Sequence, residues 1–290
     1  MQYRRLGKTE LDVSAVGVGT WQFGGDWGKD ISQDDVNAML GRAKELGINL
    51  IDTSACYGPN RLSESLIGGF LAGDRREDWI VATKFGHIHG WTPDGVRQTL
   101  EESLRTLGTD YVDIYQFHSG PDEDFDTPGL WEMLNEQVEA GKIRFLGNSI
   151  GSNDNLYQAA KSTELGISVI QVVYNRLDPA PEARVFPSCQ EQDLGVLARV
   201  PLASGFLSGK YTLDAQFPDN DIRSRRDRAY IERLIREALR VKDEVPEGVD
   251  MAQWALAWCL RHPAVTSVIP GCKSVQQIEA NAAAPGLVEE

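Results

Sequence analysis

The sequence is poor in cationic residues and has no long apolar run. It contains 29 lysines and arginines against 43 aspartates and glutamates, which gives a net charge of -14. This balance argues against a general nucleic-acid-binding surface, because such surfaces neutralise phosphates with clustered lysine and arginine. No apolar run approaches the roughly 18 residues of a membrane-spanning helix, so no membrane association is expected.

Cysteine is also scarce. Cys56, Cys189, Cys259 and Cys272 are scattered along the chain and show no CxxC spacing. This pattern predicts reduced thiols rather than a disulfide framework or a zinc site. The first five residues, 1–5, lack the apolar core of a secretory signal peptide. These features together predict a cytoplasmic protein.

Strand-like apolar segments alternate with amphipathic helical segments along the whole chain. Such strict alternation is typical of a parallel sheet with helical crossovers. Eight units with a period of roughly 30 residues predict an α/β protein, a (β/α)8 TIM barrel preceded by a short β-hairpin, over residues 1–290 as a single domain. The predicted strands are residues 16–20, 48–52, 79–84, 111–118, 143–147, 169–173, 195–198 and 266–269.

An open dinucleotide-binding sheet is the weaker alternative. Such a fold would carry G-x-G-x-x-G after its first strand. Residues 17–22 read Gly-Val-Gly-Thr-Trp-Gln and lack the third glycine.

Two helix starts carry cap signals: Ser32 with Asp35 forms a partial capping box, and Thr92 precedes a proline.

Four titratable residues lie at or just after the ends of three consecutive predicted strands. Asp52 ends the second strand, Tyr57 follows it, Lys84 ends the third, and His118 ends the fourth. Active-site groups of barrels occupy these positions. Taken singly, each residue has a structural explanation, as a helix cap, a turn aromatic, a surface lysine or a core histidine. Their convergence on one mouth of one barrel favours an active site.

The four groups also form a chemically coherent set. A free tyrosine has a pKa of about 10, and a neighbouring ammonium group favours its phenolate. An aspartate paired with the lysine would keep it charged and oriented, while a histidine can hydrogen-bond a substrate oxygen. This set can protonate an alkoxide that forms on a carbonyl, but it supplies no reductant. Hydride must therefore come from a cofactor.

The segments that carry these residues resemble the catalytic segments of the aldo-keto reductases. They are residues 52–58, 83–86 and 111–118, and the resemblance extends from residues 17–21 to Asn281. It implies a barrel that binds NADPH across its mouth and reversibly reduces aldehydes or ketones. By position, Tyr57 would be the general acid-base, Lys84 would tune its pKa, Asp52 would hold the lysine, and His118 would orient the carbonyl.

The resemblance also implies positions that contact the cofactor. Residues 201–211 resemble the pyrophosphate-binding loop of members related to potassium-channel β subunits and their bacterial relatives, more than that of the aldose reductases. The implied contacts run from the nicotinamide to the adenosine end: Gly19, Thr20, Trp21, Asp52, Ser149, Gln171, Arg199, Pro201, Leu202, Ser204, Gly205, Ser208, Lys210, Arg223, Gly271, Lys273, Gln277 and Asn281.

Three positions depart from the family pattern. Ile150 replaces an asparagine, Arg199 replaces a tyrosine that stacks on the nicotinamide, and Ala280 replaces a common acidic residue. The expected preference for NADP(H) therefore rests on Lys273 and Arg223, and NAD(H) stays open as an alternative.

The substrate pocket is expected to be walled by Trp21, Trp27 and Trp91, although Trp27 and Trp91 could instead anchor loops. His87 and His89 form H-x-H without further ligands, so no metal is expected. The predicted partner is a small carbonyl or alcohol. Two other functions remain open at this stage: an NAD(P)-dependent sugar or polyol dehydrogenase working oxidatively, and a nucleotide-binding sensor with weak catalysis.

Overall fold

The computed structural model of the protein describes residues 1–73 and 76–288, so positions 74–75 and 289–290 of the predicted domain lie outside them. Strands β1 (Tyr3–Arg5) and β2 (Asp12–Ser14) pair antiparallel and form the predicted hairpin. The other strands form one parallel sheet. They are β3 (Val18–Gly19), β4 (Leu50–Asp52), β5 (Ile80–Phe85), β6 (Val112–His118), β7 (Ile143–Ser149), β8 (Ile167–Val173), β9 (Gly195–Arg199) and β10 (Ser267–Val268).

The parallel sheet closes on itself. Its strands follow one another in sequence order from β3 to β10. Parallel bridges from Val16 to Val268 and from Gly19 to Gly271 then join the first strand to the last. The predicted (β/α)8 barrel and its N-terminal hairpin are confirmed.

Helices alternate with the barrel strands on the outside. Most of the sequence-predicted helices are present, and a short additional helix, α4, follows β6. The α-helices are α1 (Gln33–Glu45), α2 (Leu62–Leu71), α3 (Pro93–Leu107), α4 (Asp122–Phe125), α5 (Leu130–Glu139), α6 (Leu156–Ala160), α7 (Val185–Glu191), α8 (Arg228–Val241), α9 (Met251–Arg261) and α10 (Val275–Ala283).

Both predicted cap signals are confirmed. The Ser32 side chain accepts a hydrogen bond from the Asp35 amide, and the Asp35 carboxylate accepts one from the Ser32 amide. Thr92 accepts from the Gly95 amide ahead of the proline that begins α3. Each cap satisfies backbone donors that have no partner inside the helix.

Two of the short helices have boundaries that single residues set. Helix α6 begins at Leu156, because the Asn155 side chain caps it by accepting from the Gln158 amide. The helical segment before β9 is interrupted at Arg184, whose φ of -145° is not helical. A 3-10 turn, Ala180–Ala183, precedes the break.

The hairpin covers one end of the barrel. Leu6 and Val13 pack into the interior against Leu50, Ile114 and other buried strand residues. Gly7 bridges Leu194, just before β9 begins, with a φ of +52° that favours glycine. The hairpin therefore lies at the N-terminal ends of the strands, and the mouth formed by their C-terminal ends is free for a site.

Among the helices in the described ranges, none is both long enough and apolar enough to cross a bilayer.

Candidate active site

The four sequence-predicted catalytic residues come together at the open mouth, around the buried ammonium group of Lys84. Its Nζ lies 2.6 Å from Asp52 Oδ1 and 3.3 Å from the Tyr57 hydroxyl. It also donates to the Thr53 carbonyl oxygen at 2.7 Å. The Lys84 side chain is 0% exposed and that of Asp52 only 4%. Lys84 therefore links the acid to the phenol in the interior.

Electrostatics keep the ammonium group charged and the phenol protonated. Burial alone would lower the pKa of Lys84, but the Asp52 carboxylate and the Tyr57 oxygen raise it above its usual value. Burial raises the pKa of Tyr57, and the Lys84 charge only partly opposes this shift. Lys84 thus lowers the pKa of Tyr57 as expected, but desolvation raises this pKa by more. At neutral pH the Tyr57 phenol is therefore protonated.

Two buried amides fix the second oxygen of Asp52. Gln171 Nε2 donates to Asp52 Oδ2 at 2.7 Å, and Gln116 Nε2 donates to the same oxygen at 3.1 Å. Gln171 Nε2 also lies 3.0 Å from Gln116 Oε1. The sequence had suggested Gln171 only as a cofactor contact and had not identified Gln116. Both oxygens of the carboxylate therefore have donors, which offsets the cost of burying its charge.

His118 lies beside the other three predicted catalytic residues as a neutral imidazole. Burial lowers its pKa well below the usual value, and the nearby charges of Lys84, His87 and Arg199 lower it further. Its Nδ1 lies 3.0 Å from Ser54 Oγ. Nε2 is then the nitrogen left for a substrate, and it carries the proton when the Ser54 hydroxyl donates to Nδ1. His118 can in that state donate a hydrogen bond to a carbonyl oxygen.

A cleft of about 620 Å³ runs across the mouth from these residues to α10. Its lining includes most of the sequence-predicted positions. They are Gly19, Thr20, Trp21, Trp27, Asp52, Tyr57, His118, Gln171, Arg199, Pro201, Leu202, Ser204, Gly205, Ser208, Lys210, Arg223, Gly271, Lys273, Gln277 and Asn281.

Three predicted positions do not line the cleft. Lys84 is buried beneath Tyr57. Ser149 is also buried, with its hydroxyl 3.5 Å from Gln171 Oε1. Trp91 packs against Phe117, with ring centroids 4.3 Å apart. The structure thus places Trp91 among aromatic residues beside the site.

The other two tryptophans form one wall of the cleft. Trp21 stacks on Tyr57 with ring centroids 5.9 Å apart and meets Trp27 edge-on at 5.2 Å. This wall is apolar and lies beside the Tyr57 hydroxyl, as is common where a ring or an acyl chain binds.

Sequence reasoning missed several lining residues. Most are neighbours of predicted ones in the same loops, and that proximity was the available signal. They are Gln22, Asp26, Cys56, His87, Val200, Asp250, Ala252, Ile269 and Pro270.

The loop after β9 has a backbone suited to an anion. Ala203, Ser204 and Gly205 are consecutive and have positive φ values of 47°, 57° and 89°. Turns of this kind can form concavities in which backbone amides bind anions such as phosphate. A Cβ on Gly205 would lie 3.3 Å from Arg223 Nη1, so a larger residue would crowd this position. The Ala203 and Gly205 amides already donate to the Val200 and Leu202 carbonyl oxygens at 3.0 and 2.9 Å, so among the described residues the Ser204 amide is the one of the three left for a phosphate group.

The cations near this loop are not equivalent. Arg223 is bound by Asp221, with Nη2–Oδ2 at 2.6 Å and Nε–Oδ1 at 2.9 Å, and its Nη1 donates to Ser204 O and to the Tyr211 hydroxyl. Its charge is thus already balanced, contrary to the expectation that it would compensate a ligand. In the described part of the chain, Lys210 and Lys273 have no carboxylate partner; Lys273 Nζ donates to the Trp27 carbonyl oxygen.

No group of three or more metal-binding side chains is found among residues 1–73 and 76–288.

Comparisons with known proteins agree with this geometry. The sequence profile of the Aldo/keto reductase family matches residues 15–288. The NADH-specific methylglyoxal reductase of Escherichia coli is 30% identical over 308 residues, covering 96% of this chain and 92% of that protein. The aldo-keto reductase yakc [NADP(+)] of Schizosaccharomyces pombe is 30% identical over 287 residues, covering 93% and 83%. The holo form of aldo-keto reductase AKR11C1 from Bacillus halodurans superimposes with a TM-score of 0.81 at 30% identity, over 98% of this chain and 91% of that one.

Proposed function

The chain belongs to the aldo/keto reductase family, and on this premise we propose that it reduces an aldehyde or ketone to the alcohol with NADPH, with Tyr57 as the proton donor. The observation that carries the proposal is the buried Lys84 ammonium group, 2.6 Å from Asp52 and 3.3 Å from the Tyr57 hydroxyl. Oxidoreductase activity follows from the family; the proton donor and the cofactor are proposed for this chain.

The nicotinamide, when bound, supplies the hydride that the side chains of the site cannot. The residues of the chain manage the charge and the proton. As negative charge develops on the carbonyl oxygen, the Tyr57 hydroxyl transfers its proton to that oxygen and becomes a phenolate. The Lys84 ammonium group stabilises this phenolate, and Asp52 keeps the ammonium group charged and in place. His118 Nε2 hydrogen-bonds the same carbonyl oxygen and orients it.

The pH dependence follows from the state of Tyr57. Reduction needs the protonated phenol, so the rate of reduction falls as the pH rises through the pKa of Tyr57. Alcohol oxidation needs the phenolate, so its rate rises over the same range. Because burial raises this pKa above its ordinary value, reduction is favoured at neutral pH.

The cofactor would be held along the cleft. The loop after β9, which lines the cleft through Ser204, Gly205 and Ser208, would lie against the pyrophosphate, and Gln277 and Asn281 line the far end toward α10. Lys210 and Lys273 also line the cleft and have no carboxylate partner among the described residues, which supports a choice of the phosphorylated cofactor. Lys273 is the stronger candidate, because burial and the charges of Arg223, Lys210 and Lys29 lower its pKa against the opposing effect of Asp221, and a phosphate group would relieve the repulsion between these cations.

Use of NADH is a second candidate. It is favoured by the pairing of Arg223 with Asp221, which removes one of the two cations on which the NADP preference was based. It is also supported by the printed name of the Escherichia coli relative.

A screen of aldehydes, ketones and alcohols with both cofactors tests the proposal. We expect multiple turnovers of NADPH oxidation with aldehydes, at a higher kcat/KM than with NADH, and we expect Lys273→Met to reduce that preference. Equal use of both cofactors by wild type and variant would favour the second candidate. Binding of the cofactor without turnover of any substrate would contradict the proposed activity.

We further propose that the protein works in the cytoplasm. All four cysteines are free, and Cys189, Cys259 and Cys272 are buried, as suits a reducing compartment.

A further inference from the structure

Arg199 is a cation at the reacting end of the cleft that lacks an anion of its own. It is the last residue of β9 and lines the cleft together with Tyr57 and His118. Its Nη2 donates to the Ile150 carbonyl oxygen at 3.1 Å, while its Nε is buried without a hydrogen-bond partner. No carboxylate of residues 1–73 or 76–288 forms a salt bridge with it.

The surroundings of Arg199 do not balance its charge. Burial lowers its pKa, and the charges of Tyr57 and Asp52 oppose this shift without reversing it. The Asp52 carboxylate is already held by Lys84 at 2.6 Å and by two amides at its other oxygen. Arg199 is partly buried, and a cation in such a place normally has a paired anion, because desolvation of an unpaired charge is costly.

A second arginine in the same cleft shows the contrast. Arg223 is balanced by two hydrogen bonds to the Asp221 carboxylate, so the fold does provide a carboxylate partner where an arginine has a structural role. Among the described residues, Arg199 has only the Ile150 carbonyl oxygen as an acceptor. Its Nη1 is therefore left for a ligand in the cleft that Arg199 lines.

The place of Arg199 indicates which part of a ligand it would meet. The charge of Arg199 helps to lower the pKa of His118. Arg199 therefore lies near the group that would orient the carbonyl. The cations expected near the cofactor phosphates are a separate group, Lys210 and Lys273. The charges of Lys210 and Arg223 both lower the pKa of Lys273.

We propose that the carbonyl substrate is a small oxo acid and that Arg199 binds its carboxylate. This inference rests on the proposed reductase function and narrows its substrate class. A planar guanidinium group matches a carboxylate through paired N–H donors, and the charge-assisted hydrogen bonds are stronger than neutral ones. The carboxylate would supply the anion that Arg199 lacks and would hold the carbonyl carbon near Tyr57 and His118.

A substrate series with matched neutral partners tests this assignment. The full-length enzyme is assayed at saturating reduced cofactor with ω-oxo carboxylates, from glyoxylate to succinate semialdehyde, and with the methyl ester of each. The readout is the ratio of kcat/KM for the acid to that for its ester. Because the ratio is taken within one variant, it is insensitive to general effects on folding or cofactor binding.

For wild type we expect at least one acid to exceed its ester about tenfold or more. Arg199→Met should lower that ratio about 10- to 100-fold, the effect expected for a hydrogen bond between charged groups. Arg199→Lys, which keeps the charge without the paired donors, should retain part of the ratio. Lys210→Met is the matched control, which removes another cation of the cleft and should leave the ratio as in wild type.

An unchanged ratio in Arg199→Met would overturn the proposal, and so would a wild type that prefers the esters. If that variant instead weakened NADPH binding and slowed acid and ester equally, Arg199 would be a cofactor contact. If wild type turned over neither acid nor ester, the proposed reductase function would fail. The carboxylate site would then be tested by the binding of succinate and of dimethyl succinate to the cofactor-bound enzyme. Tighter succinate binding that is lost in Arg199→Met would support the carboxylate site; equal binding of the two would refute it.

Discussion

The substitution Lys84→Met perturbs the centre of the site most selectively. It removes the ammonium group that lies 2.6 Å from Asp52 Oδ1 and 3.3 Å from the Tyr57 hydroxyl, and it replaces it with an apolar side chain of similar length. The Asp52 carboxylate then stays buried with only two amide donors, from Gln116 and Gln171. We expect lower stability and slower catalysis, for separate physical reasons.

The stability loss follows from the unpaired carboxylate. Removal of one partner of a buried ion pair costs about 3–5 kcal/mol, and the two amides place Asp52 at the lower end, about 3 kcal/mol. With an unfolding entropy of about 2.1 cal/mol/K per residue, that loss lowers the Tm of this 290-residue chain by about 5 °C. Asp52→Asn in the Lys84→Met background should recover part of the loss, because it removes the unpaired charge.

The catalytic loss follows from the pKa of Tyr57. Lys84 is the main group that opposes the effect of burial on this pKa. Without it the phenol becomes a weaker acid, so kcat for reduction at neutral pH should fall about 10²- to 10³-fold, within the usual range for general acid catalysis. The alkaline decline of the reduction rate should also move to higher pH.

The assays are steady-state reduction over a pH series and thermal unfolding of the same samples. Lys142→Met is the matched control, since Lys142 is partly exposed and paired with Glu101; it should change the free energy of unfolding by less than about 1 kcal/mol. A Lys84→Met enzyme with wild-type Tm would refute the buried-pair argument. A reduced kcat with an unmoved alkaline decline would refute the tuning of Tyr57.

Two further predictions concern other groups of the cleft. Arg223→Met should lower the free energy of unfolding by about 3 kcal/mol, measured by urea denaturation, because it leaves Asp221 buried and unpaired; a double variant that also carries Asp221→Asn should be more stable than Arg223→Met alone, and equal stability would count against the pairing. Iodoacetamide should label Cys56 first, as followed by mass spectrometry, because Cys56 lines the cleft. Burial raises the pKa of Cys189 and Cys272 to about 12. Faster labelling of either of these buried thiols would contradict this order.

The architecture could be predicted from sequence because its signals are local and repeated. Eight apolar segments at strand length, separated by amphipathic helices, determine a parallel barrel in which all strand ends meet at one mouth. Ser32 and Thr92 marked helix starts because a cap needs only a side chain within three residues of the amide it binds. The split at Arg184 depends on a single backbone conformation that no such pattern records.

The sequence predicted at which strand ends the site residues lie, but not which side chains hydrogen-bond to one another. Asp52, Lys84 and His118 could be placed at one mouth because each ends a strand. That Gln116 and Gln171 share one oxygen of Asp52 depends on side-chain directions across β6 and β8. Such contacts arise only when separate strands are packed together.

The cations show the same limit. Arg223 and Lys273 looked equivalent in sequence, yet only Arg223 meets a carboxylate, since the loop that carries it turns Asp221 back onto its guanidinium group. Arg199 looked like a substitution for a stacking aromatic residue. Its lack of an anionic partner became apparent only from the three-dimensional surroundings.

The central claim is that Tyr57 donates the proton, and one measurement tests it most directly. NADPH oxidation with a good aldehyde substrate is followed for wild type, Tyr57→Phe and Tyr157→Phe, the last being a control at an exposed tyrosine, with cofactor dissociation constants measured on the same samples. The account predicts that Tyr57→Phe loses about 10³-fold or more in kcat while it binds NADPH nearly as wild type does, and that Tyr157→Phe turns over normally. Near-normal turnover by Tyr57→Phe would contradict the account.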